Sequence, residues 1–130
     1  MNESIKRFYA RLLAVLRDDV VRNGAWRQLE CLAAWDGNGS NEGFIACEWT
    51  GPDDRRFLVA VNYSSTQSQC YVRWPHDDLR LGTWRLEDRM GEASYERDGT
   101  ELTERGFYLD LPAWQYHVFE FEQIESIRVA

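Results

Sequence analysis

The stretch FLVAVNYSSTQSQCYVRW, residues 57–74, predicts a strand that is buried on both faces, followed by a sharp turn of the chain. It opens with an apolar run, residues 57–61, that lacks the alternation of a strand with one wet face. We expect a central strand, covered by an opposing sheet on one side and by the N-terminal helix, a long loop or another domain on the other. Asn62 ends the run. Because asparagine tolerates left-handed backbone and bonds neighbouring backbone groups, Asn62 is expected to hold the next loop in place.

Short runs of similar character surround this strand, and turn-forming residues separate them. The predicted strands are 26–33, 44–49, 56–62, 69–74, 83–88, 93–97, 106–111 and 116–121. Helices between the strands, which a parallel sheet needs, are absent from the pattern, so the strands indicate an antiparallel sandwich or barrel. The predicted fold is mainly β, an antiparallel β-sandwich of about eight strands with one N-terminal α-helix. Asp98-Gly99 is the sharpest hairpin signal.

The helix is predicted over residues 4–20, with Ser4 as its cap and Asn23-Gly24 as its stop. It carries two adjacent apolar stripes, which are Ile5, Phe8, Leu12 and Val15, and Tyr9, Leu13, Leu16 and Val20. That face is wider than a surface helix needs. One stripe should pack on the sandwich and the other should meet a partner, which makes a homodimer through this helix one expectation. The predicted organisation is residues 1–24 as helix, 25–122 as sandwich and 123–130 as a tail.

Charge and composition exclude several classes of function. The 130 residues suit one domain, and the net charge of −7 repels phosphate, so nucleic acid and anionic membranes are poor partners. No apolar run approaches the roughly 20 residues of a bilayer span, and the N-terminus does not resemble a secretory signal. The three cysteines are spaced singly, which predicts reduced thiols in a cytoplasmic protein. Ligand spacing for a metal is absent from the sequence, and no cofactor site is predicted.

No catalytic residue is predicted. The adjacent carboxylate pairs are Asp53/Asp54, Asp77/Asp78 and Glu87/Asp88, and we interpret them as solvated charge and turn chemistry. The histidines are His76 and His117, and nothing in their spacing relates them to a cysteine nucleophile.

The aromatic residues offer a different chemistry, because sugar rings stack on exposed tryptophan faces. Four tryptophans near strand ends or loops are candidate carbohydrate contacts, namely Trp35, Trp49, Trp74 and Trp114. For each one the alternative is packing in the core or at a domain interface. Trp26 and Trp84 are assigned to packing.

Three segments in order, FYARLLAVLRDDVVRNGAW, FLVAVNYSS and WRLEDRMGEASYERDGTELTERGFYLDLPAWQYHVFEF, resemble the C-terminal part of the α-amylase family of glycoside hydrolases. The resemblance runs from about Phe8 to Phe121. It implies the last helix of a catalytic barrel, a chain reversal with glycine, and an antiparallel β-sandwich whose apolar strand ends in asparagine.

The resemblance also implies what this chain lacks. Such enzymes use two carboxyl groups about 5 Å apart on loops at the carboxyl ends of barrel strands, and none of those motifs is matched here. The expected role is therefore a non-catalytic C-terminal domain that packs on the catalytic barrel of a larger enzyme of α-glucan metabolism. The alternatives are a carbohydrate-binding module that contacts polysaccharide through surface tryptophans, and a free-standing enzyme.

Overall fold

The computed structural model describes residues 2–52 and 55–126, and within them the chain is mainly β. The strands are β1 (Ala25–Leu29), β2 (Cys31–Ala33), β3 (Phe44–Thr50), β4 (Arg56–Asn62), β5 (Ser68–Val72), β6 (Gly82–Asp88), β7 (Ser94–Asp98), β8 (Phe107–Leu111) and β9 (Tyr116–Ser126). The helices are α1 (Glu3–Arg17), α2 (Asp19–Asn23) and α3 (Gly99–Glu104), with short 3-10 helices at Gly39–Gly43 and Asp77–Leu81.

The strands form two antiparallel sheets, which confirms the predicted sandwich. One sheet has six strands in the order β1-β3-β4-β9-β6-β7, and the other has three in the order β2-β5-β8. One apolar cluster joins inward side chains of both sheets, including Leu58 and Phe119 from the first and Val72 and Leu109 from the second. The sheets therefore face each other across a shared core.

β4 is central, as the sequence predicted, with β3 on one side and β9 on the other. Leu58 and Ala60 point into the sandwich core and are fully buried. Phe57 points to the opposite face, the outer face of the six-stranded sheet, where it is buried in a second cluster with Val15 and Val20 of the N-terminal helices. The outer cover is partial, because Val59 and Val61 are only half-buried.

Asn62 holds the following loop, as predicted. Its side chain is buried, and Nδ2 donates to the carbonyl oxygens of Thr66 (2.9 Å), Leu111 (3.0 Å) and Pro112 (3.0 Å). Its Oδ1 accepts a hydrogen bond from the Ser64 hydroxyl at 2.7 Å. The expected use of left-handed backbone does not occur at Asn62, because Trp114 (φ 64°) is the non-glycine residue with positive φ in the described chain.

The N-terminal helix differs from its prediction in two respects. Asn2, not Ser4, is the cap, and its side chain accepts from the Ser4 N–H. The helix also breaks at Asp18, whose backbone is extended and whose carboxylate accepts from the Val20 N–H to start α2. Aspartate favours a cap over a helix interior, but the apolar spacing continues through Val20 and by itself did not show the break. Asn23 ends α2 and Gly24 follows it, as predicted.

Two connections also differ. Residues 26–33 were predicted as one strand, but the chain leaves β3 after Leu29 and pairs with β5 from Cys31 onward, so the run serves both sheets. Asp98-Gly99 is not a hairpin bend. Asp98 Oδ1 accepts from the Thr100 and Glu101 N–H groups and caps α3, while β7 and β8 lie in different sheets.

The last strand is longer than predicted. β9 pairs with β6 as far as Ser126, so residues 123–126 are not a tail. Residues 127–130 of that predicted tail lie outside the described residues.

Candidate functional site

The most exposed apolar surface lies on α1. Five large side chains there are between 39% and 52% exposed, which are Ile5, Phe8, Tyr9, Leu13 and Leu16. The helix is anchored at its C-terminal half, where Val15 is buried against Phe57. Arg11 adds hydrogen bonds to the Met90 carbonyl (3.0 Å) and the Glu92 carboxylate (2.9 Å). The exposed side chains are thus presented on a tethered helix.

The outer face of the six-stranded sheet continues this surface. Trp26, Ile45 and Tyr116 are 56%, 51% and 38% exposed. Phe8 of α1 meets Tyr116 edge to face, with ring centroids 6.2 Å apart. The assignment of Trp26 to packing is therefore wrong, since β1 is an edge strand whose outward residues are left uncovered. We call α1 together with this sheet face the apolar face.

The apolar face only partly follows the two predicted stripes. In the first stripe Val15 packs on the sandwich and Leu12 is half-buried, but Ile5 and Phe8 stay exposed. In the second, Tyr9 and Leu13 are exposed with Leu16, whereas Val20 is fully buried in α2.

Two of the four candidate carbohydrate contacts are unsuited to that role. Trp74 is 1% exposed, stacks on Phe121 with ring centroids 3.7 Å apart, and belongs to the core. Trp49 is half-buried on the outer face of the sheet, against the cluster that contains Val20 and Phe57. Trp84, assigned to packing, is buried as expected.

The other two remain open surfaces. Trp35 lies in the loop after β2 and Trp114 in the loop before β9, and each is 55% exposed. Trp114 meets Tyr63 edge to face at 5.4 Å, and Tyr63 follows the buried anchor Asn62. The structure does not bring Trp35 and Trp114 into one aromatic contact.

Glu48 forms a buried charge cluster that sequence reasoning missed. Its carboxylate is 3% exposed and accepts from Trp74 Nε1 (2.6 Å) and Arg27 Nη2 (2.7 Å), and it lies 2.8 Å from His76 Nε2. Burial acts to raise the pKa of Glu48, but the bonds and charge of His76, with those of Arg27 and Trp74, outweigh it and hold the pKa below its ordinary value. One signal was available, since Glu48 shares the inward register of β3 with Phe44 and Ala46.

Asp88 and His117 form a second buried pair. His117 Nδ1 lies 2.7 Å from Asp88 Oδ2, and both side chains are at most 6% exposed. Asp88 Oδ1 also accepts from the backbone N–H groups of Met90 (2.9 Å) and Val118 (3.1 Å). Burial raises the pKa of Asp88, yet these hydrogen bonds prevail and lower it. The interpretation of Asp88 as solvated charge is therefore wrong.

The remaining carboxylate pairs and thiols show no catalytic arrangement among the described residues. Asp78 binds the buried Arg56, and Asp53/Asp54 lie outside the described residues. The cysteines are free thiols, and Cys31 and Cys70 are neighbours across β2 and β5. Each histidine bonds a carboxylate rather than a thiol. Within the described part of the chain, no three His, Cys, Asp or Glu side chains are grouped so as to hold a metal ion.

Comparison with known proteins adds no assignment. Neither a protein-family model nor a curated protein sequence matches this chain. In the described ranges, no helix has the length and apolar character needed to cross a membrane.

Proposed function

We propose that this chain is the non-catalytic C-terminal β-sandwich of an α-amylase-like enzyme and that it stabilises the catalytic barrel by docking through its apolar face. The observation that carries the proposal is the row of five exposed apolar side chains on α1. Exposed apolar patches of this kind mark interaction surfaces. The resemblance of residues 8–121 to the C-terminal part of that family suggests which partner covers the apolar face, namely the catalytic barrel.

The anchoring of α1 supports this role. Asp18, at the break between α1 and α2, accepts from Arg55 at 2.9 and 3.0 Å. Burial acts to raise the pKa of Asp18, but the hydrogen bonds and charge of Arg55 and the Val20 N–H outweigh burial. The net effect lowers the pKa, so the carboxylate stays ionised in this bridge. Arg55 also binds Glu120 of β9 at 2.9 Å, which ties the start of α2 to the sheet. A helix held in this way offers its outward side chains to a barrel with little ordering cost.

The buried carboxylates support a non-catalytic role. Glu48 and Asp88 are the two most enclosed carboxylates described above, and both are engaged by histidine and by other hydrogen-bond donors within the fold. A catalytic pair instead faces its substrate from opposite sides of the scissile bond. The free thiols suit the proposed cytoplasmic location.

The coding sequence upstream of Met1 tests the proposal directly. A (β/α)8 barrel encoded there supports it, and a different upstream domain would overturn it. That barrel, expressed alone and then mixed with this chain, should melt at a higher temperature in the mixture. Leu13→Glu should abolish the gain, because it places a charge in the docking surface. Ala14→Glu, one residue along the same helix, is the matched control and should retain the gain.

An activity assay is the second test. We expect the isolated chain to release no reducing sugar from soluble starch. Hydrolysis that survives repurification and disappears in Asp88→Asn would contradict a non-catalytic role.

A carbohydrate-binding module is the alternative function, and the exposed Trp114–Tyr63 pair favours it. Tryptophan fluorescence during titration with maltooligosaccharide discriminates between the two. Saturable binding that is lost in Trp114→Ala and kept in Trp74→Phe would support the module. A titration without change in tryptophan fluorescence would favour docking on the barrel over carbohydrate binding.

A further inference from the structure

A cavity of about 310 Å³ lies beside the turn between β6 and β7 and the start of β9. Its lining includes Asp88, Met90, Glu92, Gln115, Tyr116 and His117. The volume is at the lower end of the range for ligand sites, so it suits a small molecule. The cavity borders the apolar face at Tyr116, which contacts Phe8 of α1, and it does not include Trp114 or Tyr63.

His117 brings an unused hydrogen-bonding atom to this cavity. Its side chain is 6% exposed, and Nδ1 is occupied by Asp88. Because the Asp88 carboxylate accepts this bond, Nδ1 carries the proton that is donated, and Nε2 is the ring nitrogen left for another partner. Among the described residues Nε2 has no hydrogen-bond partner, and it is not one of the fully enclosed polar atoms left unsatisfied. The ring is thus oriented by Asp88 and lines the cavity, and Nε2 is its unpaired nitrogen.

The charges around the cavity are compensated. The Asp88 carboxylate receives His117 and two backbone N–H groups, and Glu92 at the rim is paired with Arg11 at 2.9 Å. The remaining polar lining consists of the Gln115 amide and the Tyr116 hydroxyl, which both donate and accept. Met90 and Ala93 supply apolar surface. This mixture recognises a neutral molecule with several hydroxyl groups and C–H faces, rather than an anion or a cation.

We propose that the cavity beside Asp88 and His117 binds a small, neutral, hydroxyl-rich molecule, such as a monosaccharide or a cyclic polyol. One hydroxyl of the ligand forms a hydrogen bond with His117 Nε2, while Gln115 and Tyr116 bond others. Asp88 is a positioning residue, which holds the imidazole and its tautomer. The site shares Tyr116 with the apolar face, but ligand binding is measured on this chain alone, so either proposal can fail without the other.

The test is a titration of the ¹⁵N-labelled chain with D-glucose and with myo-inositol, followed by NMR of backbone amides and imidazole nitrogens. Saturable shifts should be confined to residues 88–93 and 115–117, and the His117 Nε2 resonance should move. His117→Asn keeps a donor for Asp88 and removes Nε2, so the affinity should fall about tenfold. His76→Asn is the matched control, since His76 also bonds a buried carboxylate but lies outside the cavity, and its affinity should be unchanged.

Several results would overturn the proposal. They are the absence of saturable shifts with both probes, shifts at Trp114 and Tyr63 instead, unchanged affinity in His117→Asn, or tighter binding of inorganic phosphate than of either probe. If His117→Asn does not fold, the Nε2 resonance of the natural chain decides the question. Its movement on saturation supports the site, and a fixed resonance refutes it.

Discussion

Asn62 shows how one amide can fix the end of a buried strand. It is fully buried, and its side chain joins the carbonyl groups of Thr66 in the loop after β4, of Leu111 at the end of β8 and of Pro112 in the loop that follows β8. Without it, the Leu111 and Pro112 carbonyl groups would lose this donor, whereas the Thr66 carbonyl would keep the Ser64 and Ser68 hydroxyls as donors. The loops are the one after β4 and the one that carries Trp114, so the anchor also places an exposed aromatic residue.

We expect Asn62→Ala to lower the free energy of unfolding by about 2–3 kcal/mol, since each orphaned buried polar group costs about 1–3 kcal/mol. Asn23→Ala is the control, because Asn23 is exposed at the end of α2 and bonds only the neighbouring Asp19. Urea denaturation measures both variants. Equal effects in the two would show that the Asn62 network contributes nothing specific.

Glu48 should make the stability depend on pH. The pKa of Glu48 in the folded state lies below its ordinary value of 4.5. The ionised carboxylate therefore stabilises the fold fully at pH values above 4.5, and this contribution is lost as the pH falls through the lower pKa of the folded state. At neutral pH we expect Glu48→Gln to be less stable by about 1.5–3 kcal/mol, as for hydrogen bonds to a charged group. The difference should narrow as the solution is acidified, because glutamine does not titrate.

Urea denaturation across a pH series measures this effect, with Glu87→Gln as the control on the exposed face of β6. A constant difference between Glu48→Gln and the natural chain at all pH values would contradict the assignment of an ionised, buried Glu48.

At the scale of elements, β4 has one face that is fully covered and one that is covered in part. Leu58 is 0% exposed, whereas Val61 on the outer face is half-buried beyond the reach of the cluster around Val15 and Phe57. The sequence predicted equal cover on both faces. The structure shows that α1 and α2 cover mainly the end of the strand near Phe57.

Aspartate substitutions at three positions of β4 should reveal this difference between the two faces. Leu58→Asp should unfold the domain, since an unpaired buried charge costs several kcal/mol against a total of about 5–15 kcal/mol. Val59→Asp should destabilise strongly and Val61→Asp less, because water reaches the outer face. Arg85→Ala, a half-buried residue with loose ion pairs at 3.5 and 3.7 Å, should be nearly silent. Thermal melts give the order of stability of these variants. A melting temperature of Val61→Asp below that of Leu58→Asp would contradict the predicted order.

For the whole molecule, the apolar face is the feature that a sandwich standing alone would not need. Full burial of each large side chain is worth roughly 1.5–3 kcal/mol, so five exposed on one helix favour association. A second copy offers the same surface, so we expect the chain to pair as a two-fold dimer when no other partner covers it.

We expect sedimentation at micromolar concentration to show association that weakens in Tyr9→Glu and Leu13→Glu, with the sandwich still folded by circular dichroism. Ala14→Glu adds the same charge to α1 and should leave the association intact. A monomer at all concentrations would show that the exposed stripe does not drive pairing between copies.

Much of the fold was predictable because its causes are local. The period of apolar residues and the turn residues placed seven of the nine described strands, with β9 cut short, and merged β1 and β2 into one run. The unalternating run of residues 57–61 predicted a central strand. Asn62 could be assigned its anchoring role because a buried amide after an apolar run must find partners nearby. Asn23-Gly24 could be predicted to end the helix because asparagine and glycine favour helix C-termini.

Only the tertiary structure decided which residues from distant parts of the chain meet. The same alternation continues through Glu30, so nothing local marks the change of partner from β3 to β5. Trp26 and Trp74 look alike in sequence, yet the first lies on an uncovered edge strand and the second stacks in the core. The cavity beside His117 exists because β6 and β9 pair and bring Asp88 against it, across 29 residues of sequence. Burial and charge pairing depend on the folded neighbours of a residue, and the local pattern does not contain them.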